Sequence, residues 1–106
     1  MDFKFKPQGK SLDEIEKEID RLKAVNVPEI PFMYVKNILA ALGAEWIQPR
    51  PRGSQERFYH PLLLGTKCNG YMSIHLLHSK EPKIRRNDYR AYLYKDLKLL
   101  ITLLRK

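Results

Sequence analysis

Four apolar residues, Leu12, Ile15, Ile19 and Leu22, recur every three or four positions with charged residues filling the gaps. That spacing gathers them on one side of a helix, so 11–24 reads as amphipathic helix. Ser11 opens it and Glu14 follows three positions later. This is the capping-box pattern, in which hydroxyl and carboxylate each take one otherwise unpaired backbone N–H. Pro28 and Pro31 then interrupt the chain, because proline lacks an N–H and resists a helix interior. Pro31 suits the first turn of a second helix, with Phe32, Val35, Ile38, Leu39 and Leu42 as its apolar stripe. Gly43 is the natural cap at its end, since glycine accepts a left-handed backbone.

After Gly43 the period shortens. Trp46-Ile47-Gln48 starts a first strand, which Pro49 and Pro51 keep short or hold to a sheet edge. A second strand is expected over 57–60, and Gly65 with Asn69-Gly70 marks a loop over 62–69. Residues 71–77 alternate: Met72, Ile74 and Leu76 predict a core side, while Tyr71, Ser73 and His75 predict an outer side. Asn87 or Asp88 would cap a last helix that buries Tyr89, Leu93, Leu97, Leu100 and Leu104. Its outer face would carry Arg90, Lys95, Lys98 and Arg105. The order is α-α-β-β-β-α: an α+β fold, with a three-stranded antiparallel sheet covered by helices on one face and bare on the other.

Composition narrows the class. With 106 residues the chain makes one domain, 1–106. Residues 1–10 form a basic, weakly structured arm, 11–24 an added helix and 31–106 the central unit. A hydrophobic content of 43% fits a globular protein. No apolar run reaches the roughly 20 residues that span a bilayer, and the first ten residues lack a secretory signal's apolar stretch. No membrane association is expected. Cys68 is the single cysteine, so no internal disulfide can form and a cytoplasmic location is expected. Net charge is +8, and it is unevenly placed. Residues 1–44 balance seven bases with seven acids, whereas 80–106 hold nine bases against three acids. Such asymmetry points to a polyanionic or acidic partner, or else to a solvated basic helix face.

The stretch Trp46 to Pro61, WIQPRPRGSQERFYHP, carries a more specific signal. An apolar helix leads into Trp46, Arg50 sits in the first strand, and Gly53-Ser54 forms a turn. Phe58 stands four residues after Ser54, and His60-Pro61 two further on. This pattern resembles the HicA family of small bacterial RNA-cleaving toxins, over 35–61 closely and 70–78 loosely. The resemblance implies an α-β-β-β-α domain like the double-stranded-RNA-binding modules. It also implies metal-independent endoribonuclease (mRNA interferase) activity, with no cofactor, and a cognate HicB-like antitoxin protein as in type II toxin-antitoxin systems. The family places its catalytic histidine directly after Gly-Ser; this chain has Gln55 there, and Glu56 replaces the next histidine.

That substitution shapes the candidate chemistry. Cutting RNA without metal needs a base for the 2′-hydroxyl proton, an acid for the leaving oxygen and cations on the phosphate. Imidazole can exchange such a proton near neutrality and an amide cannot. His75 would share the bare face with Gln55, Arg57, Tyr59 and Ser73 and lie within reach of Arg57, or else be a solvated strand residue. His60 would close the second strand at the family's His-Pro, or serve only to hydrogen-bond the neighbouring loop. His78 lies beside the basic run from Lys80. Arg50, Arg52 and Arg57 flank Gly53-Ser54, whose backbone N–H groups suit a phosphate. Tyr59 and Tyr71 are candidates to stack on bases, and Lys80 and Lys83 to meet phosphates. Trp46 reads as a core anchor. No zinc-ligand spacing, phosphate-binding glycine loop or serine-nucleophile elbow occurs.

The expectation is therefore an RNA-binding, toxin-like endoribonuclease in which His75 or His60 replaces the missing histidine. The alternative is a non-catalytic module on the same fold, holding RNA or an acidic protein. Self-association into a homodimer through the first helix and the apolar 62–64 patch is compatible with either.

Overall fold

The structure is a computed structural model describing residues 3–47, 55–77 and 81–106. Arg50, Arg52, Gly53, Ser54, His78 and Lys80 lie outside the described residues.

Helix α1 (Leu12–Ala24) forms where the periodicity places it, with the Ser11 hydroxyl accepting from the Glu14 N–H at 3.2 Å. Its inner side buries Ile15, Ile19 and Leu22. Glu18 is buried beside them, which charge pattern alone would not suggest. Its carboxylate takes two bonds from Arg21, at 2.6 and 2.7 Å, and a third from the Tyr34 hydroxyl. A buried charge is tolerable only when paired in this way. Burial, followed by Glu18, pushes the Tyr34 phenol up to about 12. The N-terminal arm is not loose: Phe3 and Phe5 pack against the core, and Phe3 meets Tyr34 edge-on at 5.3 Å.

Helix α2 (Phe32–Ala41) buries Phe32, Tyr34, Val35, Ile38 and Leu39, and Gly43 follows with φ +88°. The segment between α1 and α2 contains more than a break. Strand β1 (Glu29–Pro31) pairs antiparallel with β5 (Lys83–Arg85), forming a small second sheet that corrects the expected α-α-β-β-β-α order. The prolines shape this ladder as acceptors: Arg86 N–H donates to the Pro28 carbonyl and Phe32 N–H to the Pro82 carbonyl, each at 3.0 Å. A proline carbonyl can still accept, so a proline at the end of a short edge strand does no harm.

The three-stranded sheet runs β2 (Glu45–Ile47), β3 (Gln55–Tyr59), β4 (Tyr71–His75), antiparallel throughout. Phe58, Met72 and Ile74 are buried on one face, and the core formed with the helices lies there. His60 ends outside β3, capping the short 3₁₀ turn Pro61–Leu63. The last helix also differs from expectation. It starts directly after β5 as α3 (Arg86–Asp88), passes through a π-helical turn (Tyr89–Leu93), and continues as α4 (Tyr94–Leu104). Neither Asn87 nor Asp88 caps it; the carbonyl of Pro28, just before β1, accepts its first N–H. Tyr89, Leu93 and Leu97 stand four apart, wider than the 3.6-residue period of an α-helix, and the π turn absorbs that excess. Ile101 is fully buried while Leu104 is only partly so.

Candidate nucleic-acid interface

Alternation along a pleated strand sends successive side chains to opposite faces, so register decides which residues meet. Arg57 stands opposite both Ile47 and Ser73, Tyr59 opposite Glu45 and Tyr71, and Gln55 opposite His75. The bare face thus carries three rows: Glu45–Tyr59–Tyr71, Ile47–Arg57–Ser73 and Gln55–His75. No helix covers it among the described residues, and Gln55, Arg57, Tyr71, Ser73 and His75 are all exposed.

Two groupings organise this face. In the first, Tyr59 and Tyr71 meet at 5.3 Å between ring centroids, and the Arg57 guanidinium lies 4.4 Å from the Tyr71 ring centre. Guanidinium over an aromatic face is a cation–π contact. Arg57 therefore leans toward the tyrosines while His75 pairs with Gln55, so the expected approach of His75 to Arg57 amounts to a shared face. In the second grouping, the Gln55 side-chain nitrogen sits 2.9 Å from His75 Nε2. With the amide donating, Nε2 is the lone-pair nitrogen of a neutral ring and the proton resides on Nδ1. Gln55 and His75 are thus hydrogen-bonded neighbours across β3 and β4.

Gly70 supports the tyrosine row from below. Its φ is +93°, and a Cβ there would come within 3.0 Å of Leu64 and 3.2 Å of the Tyr59 ring. Only glycine lets the turn pass that close.

His60 is placed differently. It is buried, Nε2 lies 3.1 Å from the Leu42 carbonyl, and Nδ1 accepts the Leu62 N–H at 3.1 Å. With Nε2–H donating, both nitrogens of a neutral ring are used in tying β3 to the end of α2 and to the 3₁₀ turn. A Cβ on Gly43 would stand 3.4 Å from His60 Nε2, so the helix cap and the histidine share one crowded corner. Glu56 points to the covered side, where its carboxylate accepts from Trp46 Nε1 at 2.7 Å. Trp46 is partly buried against the core, with Lys36 Nζ 3.7 Å from its ring centre. Lys83 lies in β5, bridged to Leu77 just beyond β4.

The C-terminal basic face is largely engaged within the chain. Lys98 bridges Glu16 at 2.6 Å and Asp20 at 3.1 Å, and Arg105 bridges Asp13 and Glu16, each at 2.6 Å. Arg90 donates to the Lys23 carbonyl at 2.7 Å. Helix α1 is thus the acidic partner of α4, a pairing that sequence separation concealed. Cys68 holds no reactive thiolate: burial, then Asp96, pushes its thiol up. Among the described residues no cluster of His, Cys, Asp or Glu suits a metal ion, and no helix is long and apolar enough to cross a membrane. Leu62 and Leu64 are exposed on either side of the buried Leu63.

Comparison with protein-family models, with curated proteins and with solved structures found no match to this chain.

Proposed function

We propose that this protein binds RNA on the bare sheet face and cuts it without metal, as the HicA-like pattern of its sequence implies. The observation that carries this reading is the face itself: a tyrosine pair, an arginine and an imidazole on adjacent strands, with no helix over them. Tyrosines give stacking surfaces to unpaired bases, and Arg57 gives a phosphate a planar, permanently charged donor. Once the Gln55 amide yields it, the lone pair on His75 Nε2 can take the proton from a ribose 2′-hydroxyl. The 2′-oxygen then bonds to phosphorus, the bond to the 5′-oxygen breaks, and the imidazolium returns its proton to that leaving oxygen. Arg57, released from Tyr71, offsets the charge that gathers on the phosphoryl oxygens. His60 and Glu56 take no part, since the first is buried with both nitrogens engaged and the second lies on the covered side. An acidic, antitoxin-like protein would silence the activity by covering the same face.

Purified protein with end-labelled RNA in EDTA tests this. Cleavage is expected, and His75→Ala should lower its rate by about 10²–10⁴-fold, the usual worth of an acid–base group. RNA that is bound in a salt-sensitive way yet stays intact would establish the second reading, a non-catalytic RNA module, which Gln55 at the family's catalytic position favours. Neither cleavage nor binding would overturn both.

A further inference from the structure

Beside the bare face lies a cleft of about 750 Å³, between the outer edge of β4 on one side and β5 and the π-helical turn on the other. Its size falls within the range of small-molecule sites. Tyr71, Ser73 and His75 line both it and the bare face, so the two surfaces are continuous.

The backbone of β4 is the first clue. His60 N–H donates to the Gly70 carbonyl, which sets the ladder: Met72 and Ile74 bond to β3, while Ser73 and His75 turn their N–H and C=O groups outward. β4 is an edge strand, with no further neighbour in its sheet among the described residues. Each outward-turned residue therefore presents a donor and an acceptor side by side to the cleft, the complement of one edge of a nucleobase. Across the cleft stands Tyr92, 68% exposed and the most exposed large apolar side chain among the described residues. It sits in the π-helical turn, a feature frequent at functional sites. Asp88 and Asp96 line the same cleft, and so do the cations Lys67 and Arg85.

We infer that this cleft receives one unstacked nucleobase of a single-stranded RNA lying on the bare face, stacked on Tyr92 and read by the β4 edge. Ionised carboxylates only accept hydrogen bonds, so Asp88 and Asp96 favour bases with an exocyclic amine (adenine, cytosine, guanine) over uracil, whose one donor, N3–H, is flanked by two carbonyl oxygens that a carboxylate repels. Lys67 and Arg85 meet the flanking phosphates. The inference rests on the RNA reading above and adds to it a base-selective subsite.

Fluorescence anisotropy with labelled 2′-O-methyl hexamers, which lack the reacting hydroxyl, isolates binding from cleavage. Oligo(A) and oligo(C) should bind about tenfold more tightly than oligo(U), in line with one charge-assisted hydrogen bond. Tyr92→Ala, at an exposed position, should weaken binding about tenfold, the worth of one base stack. Asp88→Asn with Asp96→Asn should erase the base preference while retaining binding. In amide NMR spectra, oligo(A) should shift the Ser73 and His75 N–H signals. If Tyr92→Ala and the carboxylate variants bind like the parent while Arg57→Ala binds weakly, the cleft proposal falls and the RNA face survives. Absence of RNA binding in the parent protein overturns both. Amide shifts produced by an extended acidic peptide but not by RNA would make the cleft a strand-docking groove and overturn the inference.

Discussion

His60, just past the end of β3, and His75, the last residue of β4, are the same residue type, and burial gives them opposite work. The His60 ring is enclosed, and its two nitrogens join a helix end, a strand end and a 3₁₀ turn. Removing it leaves the Leu42 carbonyl and the Leu62 N–H without their side-chain partner and opens a cavity. His60→Ala should therefore lower unfolding free energy by about 2–4 kcal/mol, from two lost hydrogen bonds plus a void. Urea denaturation checks the magnitude, and the folded fraction should bind RNA as the parent does. His75→Ala should do the reverse, leaving the urea midpoint in place while slowing cleavage by about 10²–10⁴-fold. The sequence could not separate these two histidines. Both stand near strand positions, and only the closing of Pro61–Leu63 over one of them makes the difference.

Elements interact here in ways that local pattern conceals. Helix α1 was legible from its apolar spacing and Ser11 cap, and β4 from strict alternation, because each of those signals is local. The spacing of α1 placed its charges only off the apolar side, yet Glu16 clasps Lys98 and Arg105 across more than 80 positions of sequence. Lys98 first, and Arg105 second, hold the Glu16 carboxyl below its ordinary 4.5. A carboxyl lowered on folding contributes stability that is fully present above pH 4.5 and is lost as pH falls through the lowered value. Acid titration of the parent should show that loss, and Glu16→Gln should remove this part of the acid transition. Because the clasp is largely exposed, Glu16→Gln should cost less than His60→Ala, and its cost should vanish near ~1 M salt, where the screening length is about 3 Å. Circular dichroism melts at several pH values and salt concentrations measure both effects.

The whole molecule is strongly basic, but its charge is not evenly available. With Lys98, Arg105 and Arg21 tied to carboxylates, cations such as Arg57, Lys67 and Arg85 stand exposed around the bare face and its cleft. Binding of single-stranded RNA should weaken linearly on a log–log plot against salt, with a slope of about −0.7 per phosphate contact. Arg57→Ala should make that slope shallower by about one such step. An Arg90→Ala variant, whose cation is engaged with α1, should leave the slope unchanged. Equal slopes for the parent and Arg57→Ala would place the phosphate contacts elsewhere.

Period, caps and turn residues settled much of this protein from sequence alone: both leading helices, the three-stranded alternation, the apolar stripe of the last helix as far as Leu100 and the side of each strand residue in β4. These are near-neighbour effects, governed by backbone geometry within a few residues. Pairing over long range was decided only in three dimensions. It created the β1–β5 sheet, turned the acidic face of α1 onto α4, enclosed His60 and left His75 bare. It also set the edge of β4 against Tyr92. A residue's partner across a sheet or between helices depends on how the chain closes on itself, and no periodicity along the sequence records that distance.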